Sequence, residues 1–102
     1  MTKPAAFTPR ARSDLGEAAT WIARDSRSAA SAFREAIDAV AKLVGEHPRV
    51  GVLRSDLAPA PYRFCVVRGF PYLVVYDASQ EPPVVARIVH GARNLAEVLK
   101  RL

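Results

Sequence analysis

The stretch that decides the fold is "YRFCVVRGFPYLVVYDASQEPPVVARIVH", residues 62–90. It holds three apolar runs, at 62–67, 72–77 and 84–90, that are rich in β-branched and aromatic residues. Turns containing glycine or proline separate the runs. Short runs joined in this way predict three consecutive strands that pair as an antiparallel meander.

The last run also predicts where its side chains point. Successive residues of a strand face opposite sides of a sheet. One face of this strand is expected to carry Val85, Arg87 and Val89. The other face is expected to carry Val84, Ala86, Ile88 and His90. A regular pleat therefore predicts that Arg87 and His90 lie on opposite faces.

Two amphipathic helices are predicted upstream of the strands. Thr8 is a candidate N-cap and Pro9 suits the first helical position, so the first helix is expected over Pro9–Arg24. The second helix, "AASAFREAIDAVAKLVGEH" at 29–47, has apolar residues every three or four positions. The short polar connection between them predicts an antiparallel helical hairpin.

The ends of the chain complete the predicted fold. Residues 5–8 are expected to form a brief first strand, and "ARNLAEVLKRL" at 92–102 a short C-terminal helix. The fold class is therefore α+β, with the order β-α-α-β-β-β and the hairpin packed on a small antiparallel sheet. We expect residues 1–102 to form a single domain.

The charge of the chain predicts an anionic partner. Fifteen Lys and Arg against ten Asp and Glu give a formal net charge of +5, and twelve of the fifteen cations are arginine. Residues 48–102 hold eight basic and four acidic side chains, so +4 of the +5 lies there. Arginine suits carboxylate and phosphate equally well. The charge therefore leaves nucleic acid and acidic protein both open as partners.

Other classes of protein are disfavoured by the sequence. The single cysteine, Cys65, excludes an internal disulfide framework, and no Cys/His spacing points to a metal site. We expect neither a metal nor another cofactor. The N-terminus lacks the long apolar core of a signal peptide, and no apolar run approaches the ~18–20 residues of a membrane span. We therefore expect a cytoplasmic protein without a membrane partner.

The motifs resemble a known superfamily when taken in order. They are "FTPRARSDLGEAATWIA", "AASAFREAIDAVAKLVGEHPRVG", "PYRFCVV", "PYLVVYD" and "VARIVHGARNL", which together cover most of the chain from Phe7 to Leu95. The chain is similar to the ParE/RelE toxins of bacterial type II toxin–antitoxin modules, and most similar to the ParE branch. The resemblance implies a toxin neutralised by an antitoxin encoded beside it.

The two branches imply different activities. ParE-type members are inhibitors of DNA gyrase, whereas RelE-type members are ribosome-dependent mRNA endonucleases. A nuclease needs a general base or acid and cations around the phosphate, for which the candidates here are His90, Arg63, Arg87 and Tyr76. The RelE branch tends to have a polar or aromatic group after this position, whereas in this chain Gly91 follows His90. The resemblance therefore favours gyrase inhibition, with no catalytic residue, and keeps cleavage of mRNA as the alternative.

A gyrase inhibitor acts through contacts, for which the candidate residues are Arg63, Arg68, Arg87, Arg93 and Trp21. Two of them have a competing structural explanation, since Arg63 and Arg87 can pair with Asp77, Glu35 or Asp38 and brace the sheet. The expected partner is a ParD-like antitoxin with a ribbon-helix-helix domain and a C-terminal toxin-binding segment. A homodimer and a heterotetramer with antitoxin are both left open, as is an inactive toxin that only binds its antitoxin.

Overall fold

The computed structural model describes residues 2–102, which form helices and strands in the predicted order. Their bounds are β1 (Ala6–Phe7), α1 (Pro9–Ala23), α2 (Arg27–Glu46), β2 (Tyr62–Val66), β3 (Tyr72–Asp77), β4 (Val84–His90) and α3 (Leu95–Val98). The predicted α+β fold class is confirmed. None of the helices in residues 2–102 combines the length and the apolar character that a membrane span requires.

Each long helix begins at a capping side chain. The Thr8 hydroxyl accepts a hydrogen bond from the Ala11 N–H at 3.0 Å, and Pro9 occupies the first turn of α1 as predicted. The Ser26 hydroxyl accepts from the Ala29 N–H at 3.1 Å, so α2 begins at Arg27, two residues before the predicted start. Three residues join the helices, which pack side by side as the predicted hairpin.

The sheet has the strand order β1-β4-β3-β2. The three later strands pair antiparallel, which confirms the meander. However, β1 pairs parallel with β4, through Ala6 with Val84 and Phe7 with Val85. The sheet is therefore mixed, and the prediction of a purely antiparallel sheet is corrected at this one edge.

Apolar clusters cover both faces of the sheet. On one face the helical hairpin contributes fully buried Phe33 and Val44, which belong to the same cluster as Val74 and Tyr76 of β3. On the other face, the loop before β2 and the end of α3 contribute Ala58 and Leu99. These residues cluster with the following strand side chains: Phe64, Val75 and Val89. Burial on two sides explains why β3 is apolar along most of its length.

A bulge changes the predicted alternation of β4. Val75 is opposite Arg87 but Tyr76 is opposite Val85, so Ala86 is an extra residue. Val85 consequently lies in the cluster on the hairpin face, and the prediction that it shares a face with Arg87 and Val89 is wrong. The bulge precedes Arg87, and so Arg87 and His90 still lie on opposite faces.

The C-terminal helix is shorter than predicted. Only Leu95–Val98 is helical, with Asn94 as its N-cap, whereas the apolar spacing predicted a helix extending over 92–102. Leu99 is buried but Leu102 is substantially exposed, so the apolar pattern is not buried to its end. A single turn has little helical stability of its own and depends on the packing of Leu99.

Candidate functional site

A surface groove lies between α1, the end of β4 and α3. It has a volume of about 500 Å³. Four residues predicted from the sequence line it: Trp21, Arg87, His90 and Arg93. The other predicted residues, Arg63, Arg68 and Tyr76, do not contribute to the groove.

The groove exists because β1 is only two residues long. β1 covers the outer edge of β4 at Val84 and Val85 and then ends. Beyond that point, residues of α1 and its cap bond to the backbone of β4. The Thr8 hydroxyl donates to the Ala86 carbonyl at 3.1 Å, and the Asp14 carboxylate accepts from the Ile88 N–H at 3.0 Å. A helix therefore replaces a strand at this edge.

Asp14 also forms a buried ion pair with Arg87. The Arg87 Nε is 2.8 Å from Asp14 Oδ2, and the Arg87 Nη2 is 3.3 Å from Oδ1. A third donor, Nη1, reaches the Val98 carbonyl at 3.3 Å. Both side chains are largely buried. Arg87 thus links α1, β4 and α3, with Asp14 as its counter-charge in place of Asp77, Glu35 or Asp38.

Asp14 was not among the site residues predicted from the sequence, although its position in an apolar row of α1 is a signal. Asp14 belongs to the row Ala11, Asp14, Ala18 at intervals of three and four, and all three residues are buried in α1. A carboxylate within a buried row needs a partner, because an isolated buried charge is costly. The row therefore predicts a basic or N–H partner for position 14, without identifying Arg87.

The predicted general acid or base, His90, is already engaged. Its Nδ1 accepts a hydrogen bond from the Ala92 N–H at 3.0 Å, so this nitrogen is unprotonated whenever that bond is formed. The ring packs edge-on against Tyr72, with centroids 5.1 Å apart. Both contacts hold the His90 ring within the fold at the end of β4.

Three predicted contact residues are available at the surface. Trp21 is 62% exposed, and its ring lies beneath the Arg24 guanidinium, 4.9 Å from the ring centroid. Arg93 is exposed in the turn after β4, and Arg68 in the turn between β2 and β3. The β2–β3 turn contains Gly69 at a φ of 85°, a conformation that favours glycine.

Arg63 and Tyr76 hold the loop that follows α2. The Arg63 Nη1 donates to the Gly51 carbonyl at 2.8 Å and to the Arg49 carbonyl at 3.3 Å. The Tyr76 hydroxyl donates to the Pro48 carbonyl at 2.7 Å and accepts from the Gly51 N–H at 2.9 Å. Burial raises the pKa of Tyr76, so its hydroxyl stays protonated as this geometry requires. Arg63 therefore binds carbonyl groups and not the carboxylates considered above.

The four nuclease candidates are divided between two places. His90 is opposite Tyr72 at one end of β3, whereas Tyr76 lies four residues further along. At ~3.3 Å per residue, four residues correspond to about 13 Å. Arg63 pairs with Tyr76 at that far end, while Arg87 bonds to Asp14. The structure does not bring the four together around one phosphate.

Removing the Tyr76 hydroxyl should loosen the loop. Tyr76→Phe leaves the buried Gly51 N–H and the Pro48 carbonyl without a partner, and we expect a loss of about 1–2 kcal/mol in the free energy of unfolding. Urea denaturation measures it. Tyr62→Phe is a matched control, since Tyr62 is only partly buried and should be nearly neutral. An equal effect of both variants would contradict the structural role of the Tyr76 hydroxyl.

Comparison with known proteins defines the class. Residues 5–95 match the family described as ParE toxin of type II toxin–antitoxin system, parDE. Toxin ParE3 of Caulobacter vibrioides is 39% identical over 70 residues, which are 69% of this chain and 67% of that protein. A solved structure titled a chromosomal ParDE TA system from P. aeruginosa shares the fold, with a TM-score of 0.70. That similarity covers 87% of this chain and 96% of that one, at 14% identity.

The chain belongs to the ParE toxin family of type II toxin–antitoxin systems. The family match extends from Ala5, just before β1, to Leu95 in α3. It thus includes the hairpin, all four strands and most residues of the groove.

Proposed function

We propose that this ParE-family toxin inhibits DNA gyrase in the bacterial cytoplasm and is neutralised by a ParD-like antitoxin. The observation that carries the proposal is the division of the nuclease candidates, two at the groove and two at the loop after α2. A toxin that acts by binding needs exposed contact residues but no converging acid, base and phosphate clamp. The ParE family match supports the same choice.

The predicted contact residues differ in their surroundings, and we propose different roles for them on that basis. Arg63 and Arg87 each make two or more hydrogen bonds within the fold, so we assign them to positioning. Arg68, Arg93 and Trp21 are exposed, so we assign them to contact with gyrase or antitoxin. Exposed arginine and tryptophan are the residue types that contribute most to protein interfaces.

One growth assay and two assays with purified toxin test the proposal together. Induction of the toxin alone should arrest growth, and induction with the antitoxin gene should restore it. Purified toxin should inhibit supercoiling by gyrase and leave mRNA intact on translating ribosomes. If saturating toxin does not inhibit supercoiling by gyrase but induction of the toxin still arrests growth, the toxin has another target. Failure of the toxin to arrest growth would instead favour an inactive toxin that only binds its antitoxin.

The alternative is a ribosome-dependent endonuclease, which the presence of His90, Arg87 and Arg93 in one groove favours. His90→Ala distinguishes the two functions. We expect the variant to retain growth arrest within about threefold, whereas a nuclease that loses its general acid or base typically loses 10²–10⁴-fold in rate. His47→Ala, which changes an exposed histidine elsewhere, is the matched control. Loss of arrest in His90→Ala alone, with native stability, would favour the nuclease.

A further inference from the structure

Three chain connections meet at one end of the molecule. The hydrogen bonds from α1 to β4 described above show that the two run in the same direction, so the α1–α2 connection lies beyond the end of β4. Near the start of α2, Phe33 packs on Phe70 of the β2–β3 turn, with ring centroids 5.2 Å apart. The Gly91 N–H, just after β4, donates to the Pro71 carbonyl of the same turn at 2.9 Å. We call the three connections together the arginine end: residues 24–27, 67–71 and 91–94.

The arginine end carries much of the net charge of the protein. It contains four arginines and one aspartate, a net charge of +3 out of the +5 of the whole chain. The segments toward the opposite end, residues 2–5, 46–61 and 77–83, contain three basic and four acidic side chains, a net charge of −1. A charge separated in this way attracts an anionic partner to one end of the molecule.

The four arginines of this end are available to such a partner. They are Arg24, Arg27, Arg68 and Arg93. All four are exposed, and none of them forms an ion pair within residues 2–102. The Arg24 guanidinium lies over the Trp21 ring, 4.9 Å from the centroid, a cation–π contact that uses none of its hydrogen-bond donors. An arginine without a carboxylate partner keeps its donors for an external anion.

The surroundings of these arginines favour phosphate over an acidic protein segment. None of the large apolar side chains exposed in residues 2–102 lies within the arginine end. Protein–protein interfaces have an apolar centre from which charged residues are depleted. A nucleic-acid backbone, in contrast, is a regular array of phosphates that cations bind without an apolar pocket. Four arginines on three separate connections match such an array better than they match one carboxylate.

We propose that the arginine end binds the phosphate backbone of duplex DNA without preference for its sequence. The choice of DNA as the source of the phosphates rests on the proposed function, because duplex DNA is the substrate of gyrase. Arg68 and Arg93, which the proposed function leaves to gyrase or antitoxin, contact DNA in this proposal. Trp21 lies outside the three segments and remains available for a protein partner.

The test measures how the binding of DNA by the purified toxin depends on salt. The probes are two fluorescently labelled duplexes of unrelated sequence. Each is about 20 bp long, because a molecule with a longest dimension of 36 Å covers no more than ~10 bp at ~3.4 Å per base pair. Each phosphate contact contributes about −0.9 to the slope of log K against log salt, so we expect a slope of about −3 to −4 for four arginines. The two duplexes should bind equally, because phosphate contacts carry no sequence information.

The toxin variant Arg27→Gln/Arg68→Gln removes two of the four cations and leaves the groove unchanged, since neither residue lines it. We expect the slope to become less steep by about 2 and the affinity at low salt to fall by about tenfold or more. Arg12→Gln/Arg49→Gln is the matched control, which removes two exposed arginines outside the arginine end. Arg12 is about 18 Å from Arg24 along α1, at ~1.5 Å per residue. This distance exceeds the Debye length of about 10 Å at 0.1 M salt, so the control should bind DNA within about threefold of the unaltered toxin.

Several results would overturn the proposal. Native slope and affinity in Arg27→Gln/Arg68→Gln, with a thermal transition like that of the unaltered toxin, are the first. A strong preference for one of the two duplexes would exclude binding through phosphates alone. Binding of single-stranded RNA in preference to both duplexes, lost in the double variant, would assign the arginine end to RNA. Binding of poly-glutamate but not of DNA would assign it to an acidic protein.

The DNA measurement is independent of the assay for gyrase inhibition. If the unaltered toxin binds DNA with the expected slope but does not inhibit supercoiling, the gyrase proposal fails and the DNA proposal is still decided by the salt slopes. If the toxin inhibits supercoiling but does not bind duplex DNA at low salt, the DNA proposal fails alone.

Discussion

Asp14→Ala should lower the free energy of unfolding by about 3–5 kcal/mol, the usual cost of removing one partner from a buried ion pair. The substitution leaves the Arg87 guanidinium without a carboxylate and the Ile88 N–H without an acceptor. Urea denaturation of the purified toxin measures the change. Arg10→Ala is the matched control, because Arg10 contacts the same carboxylate at 3.6 Å from an exposed position and should cost less than about 1 kcal/mol.

A second variant distinguishes loss of the pair from loss of packing. Asp14→Leu combined with Arg87→Met removes both charges and approximately preserves the volume, and such replacements are often neutral or stabilising. We expect the double variant to be more stable than Asp14→Ala. Equal losses for Asp14→Ala and Arg10→Ala would contradict a central role for the buried carboxylate.

Gly45→Ala should lower the free energy of unfolding. Overpacking typically costs about 1–3 kcal/mol, and we expect a value at the upper end of that range. A Cβ at Gly45 would overlap the Lys3 carbonyl oxygen and would lie 2.8 Å from the Pro4 Cα. Both atoms are backbone, so the segment before β1 would have to move. Thermal and urea denaturation measure the effect.

Replacing Gly16, in the other long helix, by alanine is expected to have the opposite effect on stability. Apart from its two chain neighbours and the backbone of its own helix, a Cβ at Gly16 would have no heavy atom within 4 Å. Gly16→Ala should therefore stabilise the protein by about 0.5–1 kcal/mol through helix propensity. The two substitutions have the same chemistry and differ only in surroundings. If Gly45→Ala were also stabilising, the close approach of the N-terminal segment to α2 would be wrong.

The sequence was sufficient to predict the helices and strands where periodicity is strong. The intervals of three and four residues in α2 and the short β-branched runs each reflect one repeating contact with a core. The parallel pairing of β1 was not predictable, because two residues carry no periodic pattern. The bulge at Ala86 was missed for a similar reason, since it arises from the register between β3 and β4.

The candidate site was less predictable than the fold. Trp21 lies at the edge of the apolar stripe of α1, a position that by itself favours neither burial nor exposure. The pairing of Arg87 with Asp14 joins residues 73 positions apart, and no local pattern encodes such a contact. Arg63 binds carbonyl groups of a loop, which are present in every residue and therefore leave no trace in the side-chain sequence.

The carboxylate of Asp14 has a consequence for solubility. Sheet edges with unpaired backbone groups promote aggregation, and proteins protect them with charges, bulges or covering elements. Beyond β1, the edge of β4 has all three protections: a bulge at Ala86, the helix α1 and a buried acid bonded to Ile88. Because the Thr8 hydroxyl, the Asp14 carboxylate and α1 cover this edge, a second copy of the toxin cannot add a strand there.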